Sequence, residues 1–86
     1  MKLDSYIKSL GQAIGTKIFI NIYLNQYKGV MPIDAKKIWH DDLVNTQMEF
    51  KDNNEYEVTK AYPEIGGGFN GSILISIFVS ERKEAA

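Results

Sequence analysis

The chain has 86 residues, room for one modest core, so a single domain is expected. Its hydrophobic and charged contents, 44% and 24%, are those of a folded globular chain and exclude wholesale disorder. It has no cysteine, which removes disulfides, thiolate nucleophiles and thiolate metal sites, and its net charge is only −1.

In chain order, Leu3, Ile7, Leu10 and Ile14 recur at helical spacing and predict an amphipathic helix from about Asp4 to Ile14. Asp4 or Ser5 can cap its start and Gly15 can end it, while Gly11 marks either a local cost or close packing. Lys17 to Leu24 follows as a strand, with Ile18, Ile20, Ile22 and Leu24 on one face and Phe19, Asn21 and Tyr23 on the other. The isoleucine face should meet the helix. Asn25 to Met31 reads as a turn with Gly29 at its corner and a short edge strand around Tyr27, and Pro32 should break pairing. Asp34 can then cap a short helix over Ala35 to Leu43, where Ala35, Ile38, Trp39 and Leu43 share a side.

Val44 to Tyr62 predicts an acidic β-hairpin. Val44, Thr46, Met48 and Phe50 alternate with polar residues, and Tyr56, Val58 and Ala61 or Tyr62 mark the return strand. With Asp52-Asn53-Asn54 as the loop and Asn54 left-handed, Phe50 faces Tyr56, Met48 faces Val58, and Glu49 stands directly against Glu57. A glycine-rich stretch, Gly66 to Gly71, reads as an inter-strand loop with Phe69 at its tip. Ser72 to Ser80 predicts a strand apolar on both faces, hence central, and residues 81–86 form a charged tail expected to be disordered.

These elements predict an α+β fold over residues 1–80. An N-terminal helix packs on a mainly antiparallel sheet of four to five strands, with a short second helix between the first strand or strands and a C-terminal three-strand region. Ile18, Ile20, Ile22, Met48, Phe50, Val58, Ile73, Ile75, Ile77 and Val79 should line its core. Phe19, Tyr23, Leu74 and Phe78 imply a second apolar patch, covered by Ile38 and Trp39 or by a second copy of the chain.

No motif points to catalysis, and no cofactor or metal is expected. The glycine stretch lacks the spacing and the following helix that hold a phosphate. Trp39-His40-Asp41-Asp42 gathers the only histidine and two carboxylates, but adjacent helical residues cannot converge on one metal, and no nucleophile is identified.

Charge is unevenly placed. Residues 1–40 hold six lysines against two aspartates, and residues 41–64 hold seven carboxylates against two lysines. The expectation is a non-enzymatic binding protein, an inhibitor or accessory factor of the kind phages and mobile elements encode. Its site would be Asp41, Asp42, Glu49, Asp52, Glu55, Glu57 and Phe69, set against a basic protein partner. The alternative is a nucleic-acid module that stacks bases on Phe19 and Tyr23, a reading the single arginine and acidic balance weaken. A homodimeric structural subunit is the third reading. Without an 18-residue apolar run or a signal sequence, a cytoplasmic, membrane-free location is expected.

Overall fold

The computed structural model describes residues 1–10, 18–53, 55–64 and 73–81. Their elements run α1 (Leu3–Ser9), β1 (Ile18–Lys28), β2 (Met31–Asp42), α2 (Leu43–Glu49), β3 (Tyr56–Glu64) and β4 (Ile73–Glu81). The strands form one mixed sheet in the order β2-β1-β4-β3. β1 and β4 lie parallel at its centre, and each pairs antiparallel with its outer neighbour. This is the α+β fold expected, with a helix at the N-terminus and a second one between the first strands and the last. β4 is central, as its two apolar faces require.

Both helices cover one side of the sheet. Leu3 and Ile7 of α1 and Leu43 of α2 are buried with Ile20 and Ile22 of β1 and Ile75, Ile77 and Val79 of β4. Ile18, Leu10, Phe50, Val58 and Ile73 pack around this core half-buried. Each helix has seven residues, too few to persist alone in water, so packing rather than propensity holds them. Fully burying one isoleucine contributes about 1.5–3 kcal/mol, which exceeds what a single helical turn can supply. The N-cap of α1 is Lys2, not Asp4 or Ser5; Asp4 lies in the first turn, where its charge favours the helix dipole. Lys2 bridges Glu57 and the Met1 carbonyl accepts from the Val58 amide at 2.9 Å, which fastens the chain start to the outer edge of β3.

Two elements depart from the sequence reading. Residues 35–43 are not a helix but the second half of β2, which starts at Met31 and carries Pro32 on an outer strand, where a missing amide is tolerated. A two-residue loop, Gly29-Val30, joins it to β1; Gly29 takes φ +64°, the left-handed first position that a tight hairpin needs. β2 is irregular against Ile22/Tyr23 and again against Leu24/Gln26. Each bulge adds a residue and shifts the side-chain phase, so Ile38 and Trp39 both reach the core and imitate helical spacing.

The predicted first strand of the acidic hairpin is α2. Asp42 is its N-cap, accepting the Asn45 amide at 2.7 Å. Leu43 and Thr46 face the core while Met48 is 73% exposed, so Met48 leaves the predicted core. Among the described residues two strands therefore follow α2, and the Glu49–Glu57 and Phe50–Tyr56 pairings do not form. The left-handed residue of the following turn is Asp52, φ 59°. Glu81, expected in the tail, is the last residue of β4 and pairs with Tyr56. Ile14, Gly11, Gly15, Asn54, the Gly66–Gly71 stretch with Phe69, and residues 82–86 lie outside the described residues.

Candidate functional site

The sheet side opposite the helices is built from the alternate residues of each strand. β1 places Phe19, Asn21, Tyr23, Asn25 and Tyr27 there, and the parallel register sets Leu74, Ser76 and Phe78 of β4 beside Phe19, Asn21 and Tyr23. From the outer strands come His40 and Lys37, opposite Asn21 and Tyr23, and Lys60 and Tyr62, opposite Phe78 and Ser76. None of these belongs to α1 or α2, and among the described residues no helix lies over this face.

Its aromatic rings are arranged as a tract. Tyr23 and Phe78 stack with centroids 4.8 Å apart and planes 15° from parallel. Tyr62 continues the row 6.0 Å from Phe78, at 23°. Near the other end, Phe19 and His40 lie 6.3 Å apart and 13° from parallel. Offset parallel rings on neighbouring strands follow from the strand spacing of roughly 4.8 Å. Two ammonium groups lie over the tract: Lys37 is 5.8 Å from the Tyr23 centroid, and Lys60 is 4.6 Å from that of Phe78 and 5.8 Å from that of Tyr62.

Polar residues fix the frame between the rings. Asn21 is buried and its side-chain amide meets His40 Nδ1. Asn25 Nδ2 donates to Thr59 Oγ1 at 2.8 Å and to Ser80 Oγ at 3.2 Å, and Thr59 donates to the Phe78 carbonyl at 3.1 Å. A groove of about 430 Å³ opens beside this network, lined by residues that include Asn25, Tyr27, Pro32, Asp34, Lys60 and Phe78.

The predicted site residues divide. Phe19 and Tyr23 lie on the tract as the alternative reading required. The acidic set is dispersed: Asp41 and Asp42 sit at the start of α2, Glu49 at its end, Asp52 in the turn beyond, and Glu55 and Glu57 at the start of β3. Several are engaged locally. Asp41 accepts from Asn45 Nδ2 and from the Asp42 amide, which hold its carboxyl below the ordinary carboxylate range, with His40 adding a little in the same direction. Glu57 takes the N-terminal ammonium at 2.5 Å. His40, Asp41 and Asp42 do not converge: successive strand residues point to opposite sides of the sheet, which sets Asp41 apart, and Asp42 is taken up in capping α2. Ile38 and Trp39, expected to cover the second patch, pack on the helix side instead.

Lys37, His40, Lys60 and Tyr62 were the tract residues that sequence pattern missed. For β2 the signal was masked by bulges. For β3, a bulge at Thr59 moves Ala61 to the core and Tyr62 to the opposite side, the very choice that alternation left open.

Compared with protein families, curated proteins and solved structures, the chain shows no match. Its fold and this face define it only as an α+β protein with a four-stranded sheet, helices on one side and an aromatic, lysine-bearing surface on the other.

Proposed function

We propose that this chain is a non-enzymatic binding protein that holds single-stranded nucleic acid across the helix-free side of its sheet. The observation that carries the reading is the stacked row Tyr23–Phe78–Tyr62 with Lys37 and Lys60 lying over it. Planar bases stack on such rings without regard to sequence, each contributing about 1–3 kcal/mol. The two lysines are exposed and can exchange ring faces for phosphates. Asp42, occupied in capping α2, and Glu64, opposite Leu74, stand at the margins of this side, and Glu57 holds the N-terminus, so the charges at the middle of the tract are cationic.

The basic-partner reading depended on a row of carboxylates along a hairpin, and the first strand of that hairpin is replaced by α2. A second copy laid over the tract would have to desolvate Lys37 and Lys60 and pair them with the carboxylates of this side, Asp42 and Glu64. Nucleic acid meets both the rings and the charges.

Fluorescence anisotropy of a labelled single-stranded oligonucleotide at low salt tests this. Tyr62→Ala, at an exposed position on β3, should weaken binding by about 1–3 kcal/mol, roughly 5- to 140-fold, with the fold retained. With two lysines as the phosphate contacts, the slope of log K against log salt should be shallow, about −1.4. Absence of binding at low salt sinks the proposal. So does a stable dimer whose mass by light scattering falls to that of a monomer on Tyr62→Ala, since the tract would then be a contact between copies.

A further inference from the structure

His40 takes no part in the row Tyr23–Phe78–Tyr62, yet it lies on the same side of the sheet. It stands opposite Asn21 as Lys37 stands opposite Tyr23, so the two side chains line β1 two residue steps apart, about 6.6 Å along the strand. That is the length of about two stacked nucleotides, at roughly 3.4 Å each. A phosphate backbone that meets Lys37 therefore passes His40 next.

The ring is held for such a contact. It lies beside Phe19, with centroids 6.3 Å apart and planes 13° from parallel. Its Nδ1 meets the buried side-chain amide of Asn21, whose oxygen can accept the N–H that a charged imidazole carries there. The residue itself is exposed, which leaves Nε2 to meet a ligand.

His40 is the one histidine of the chain, and histidine is the side chain that gains its charge between about pH 8 and about pH 5. The charged groups around it do not change with it. On its own strand these are Lys37, Asp41 and Asp42, and both carboxylates are engaged by Asn45 of α2. Carboxylates are ionised and lysines protonated over most of this range. β1 sets Phe19, Asn21 and Tyr23 against the ring, and a tyrosine hydroxyl keeps its proton throughout. Leu74 and Ser76 of β4, beyond β1, are uncharged, and Glu64 lies on the far outer strand.

We infer that His40 is a pH-gated phosphate contact, so that this face holds single-stranded nucleic acid more tightly when the imidazole is charged. This rests on the reading of the sheet face as a single-strand platform. Asp41 and Asp42 offset part of the added charge, which keeps the gain to that of one exposed ion pair.

Anisotropy titrations with oligo(dT) lacking terminal phosphates, at about pH 8 and about pH 5.5, test this across the range in which histidine changes charge. Neither thymine nor a phosphodiester titrates there. The parent chain should bind about two- to fivefold tighter at the acid end at low salt. Its slope of log K against log salt should steepen from about −1.4 to about −2.1, the increment of one phosphate contact. His40→Gln, neutral throughout, should bind at both pH values as the parent does at the alkaline end. His40→Arg, charged throughout and planar enough to lie beside Phe19, should bind at both as the parent does at the acid end. Far-UV circular dichroism at each pH confirms that the variants fold, and His40→Arg carries the test if His40→Gln does not. Equal parent affinity at the two pH values, or a pH dependence that survives substitution of His40, overturns the inference and leaves the stacking platform standing. Failure of the parent to bind at either pH overturns both.

Discussion

Thr46 shows how one polar residue can decide a local fold. It has no exposed surface, yet both hydrogen-bonding roles of its hydroxyl are filled: Oγ1 donates to the Asp42 carbonyl at 2.6 Å and accepts Trp39 Nε1–H at 2.8 Å. Thr46→Val keeps the shape and strands the indole donor, so it should cost about 1–3 kcal/mol, read by urea unfolding with Trp39 fluorescence. A change below 0.5 kcal/mol, about the size of an ordinary surface substitution, would show that Trp39 finds another acceptor. At Asp41, two hydrogen bonds favour the ionised carboxyl and lower its pKa. A group whose folded pKa is depressed stabilises above its unfolded pKa, and that stability is lost as pH falls through the folded value. Asn45→Ala removes the largest cause, so NMR titration should find the Asp41 pKa raised toward the ordinary range. An unmoved pKa would mean the Asp42 amide alone sustains it. At this scale the sequence places Phe19 and Tyr23 on one strand face, as the regular register of β1 with β4 has them. It missed Lys37 and Tyr62, which follow bulges.

At the scale of elements, α2 and the predicted hairpin strand make opposite predictions for the same residues. Met48, inward in a hairpin, is outward on α2, so Met48→Ser should shift stability by no more than about 0.5 kcal/mol. Asp42→Ala removes the helix cap and should cost about 1 kcal/mol in denaturant unfolding. A reversed order, with Met48→Ser the costlier, would restore the hairpin. The helical signal was present in Asp42 followed three residues later by Asn45, and in Leu43, Thr46 and Phe50 at spacings of three and four. It lost to the alternation of Val44, Thr46, Met48 and Phe50 because Thr46 fits both patterns. The Gly29 turn was legible, since only glycine adopts a positive φ there without strain. No heavy atom lies within 4 Å of a Cβ built at Gly29. Gly29→Val should thus cost the left-handed backbone penalty alone, about 1–2 kcal/mol, measurable as a lowered unfolding midpoint.

For the whole molecule, stability and binding reside on opposite sides of one sheet. Ile77, fully buried between β1 and β3 on the helix side, should cost about 2–5 kcal/mol as Ile77→Ala. That is a large share of the roughly 5–15 kcal/mol that holds a small domain together. Tyr62→Ala on the other side should lower stability far less, by no more than the roughly 0.5–1.5 kcal/mol of its ring contact with Phe78, while weakening oligonucleotide binding. Equal losses of stability from the two changes would make the tract a second core rather than a surface.

The acidic hairpin, the clearest local pattern in the sequence, is the element that the folded structure removes. From the sequence alone came the α+β class, the N-terminal helix, the isoleucine strands β1 and β4, and the central place of β4. Each follows from periodicity within a short segment, which local sterics and burial make legible. The tertiary structure alone decided the parallel pairing of β1 with β4, the bulges in β2 and β3, and the capture of residues 43–49 as a helix. Those choices depend on contacts between segments far apart in the chain, where cross-strand register and shared burial outweigh local pattern. The same long-range register brings Tyr23, Phe78 and Tyr62 into one row, so the candidate surface could form only once the sheet was assembled.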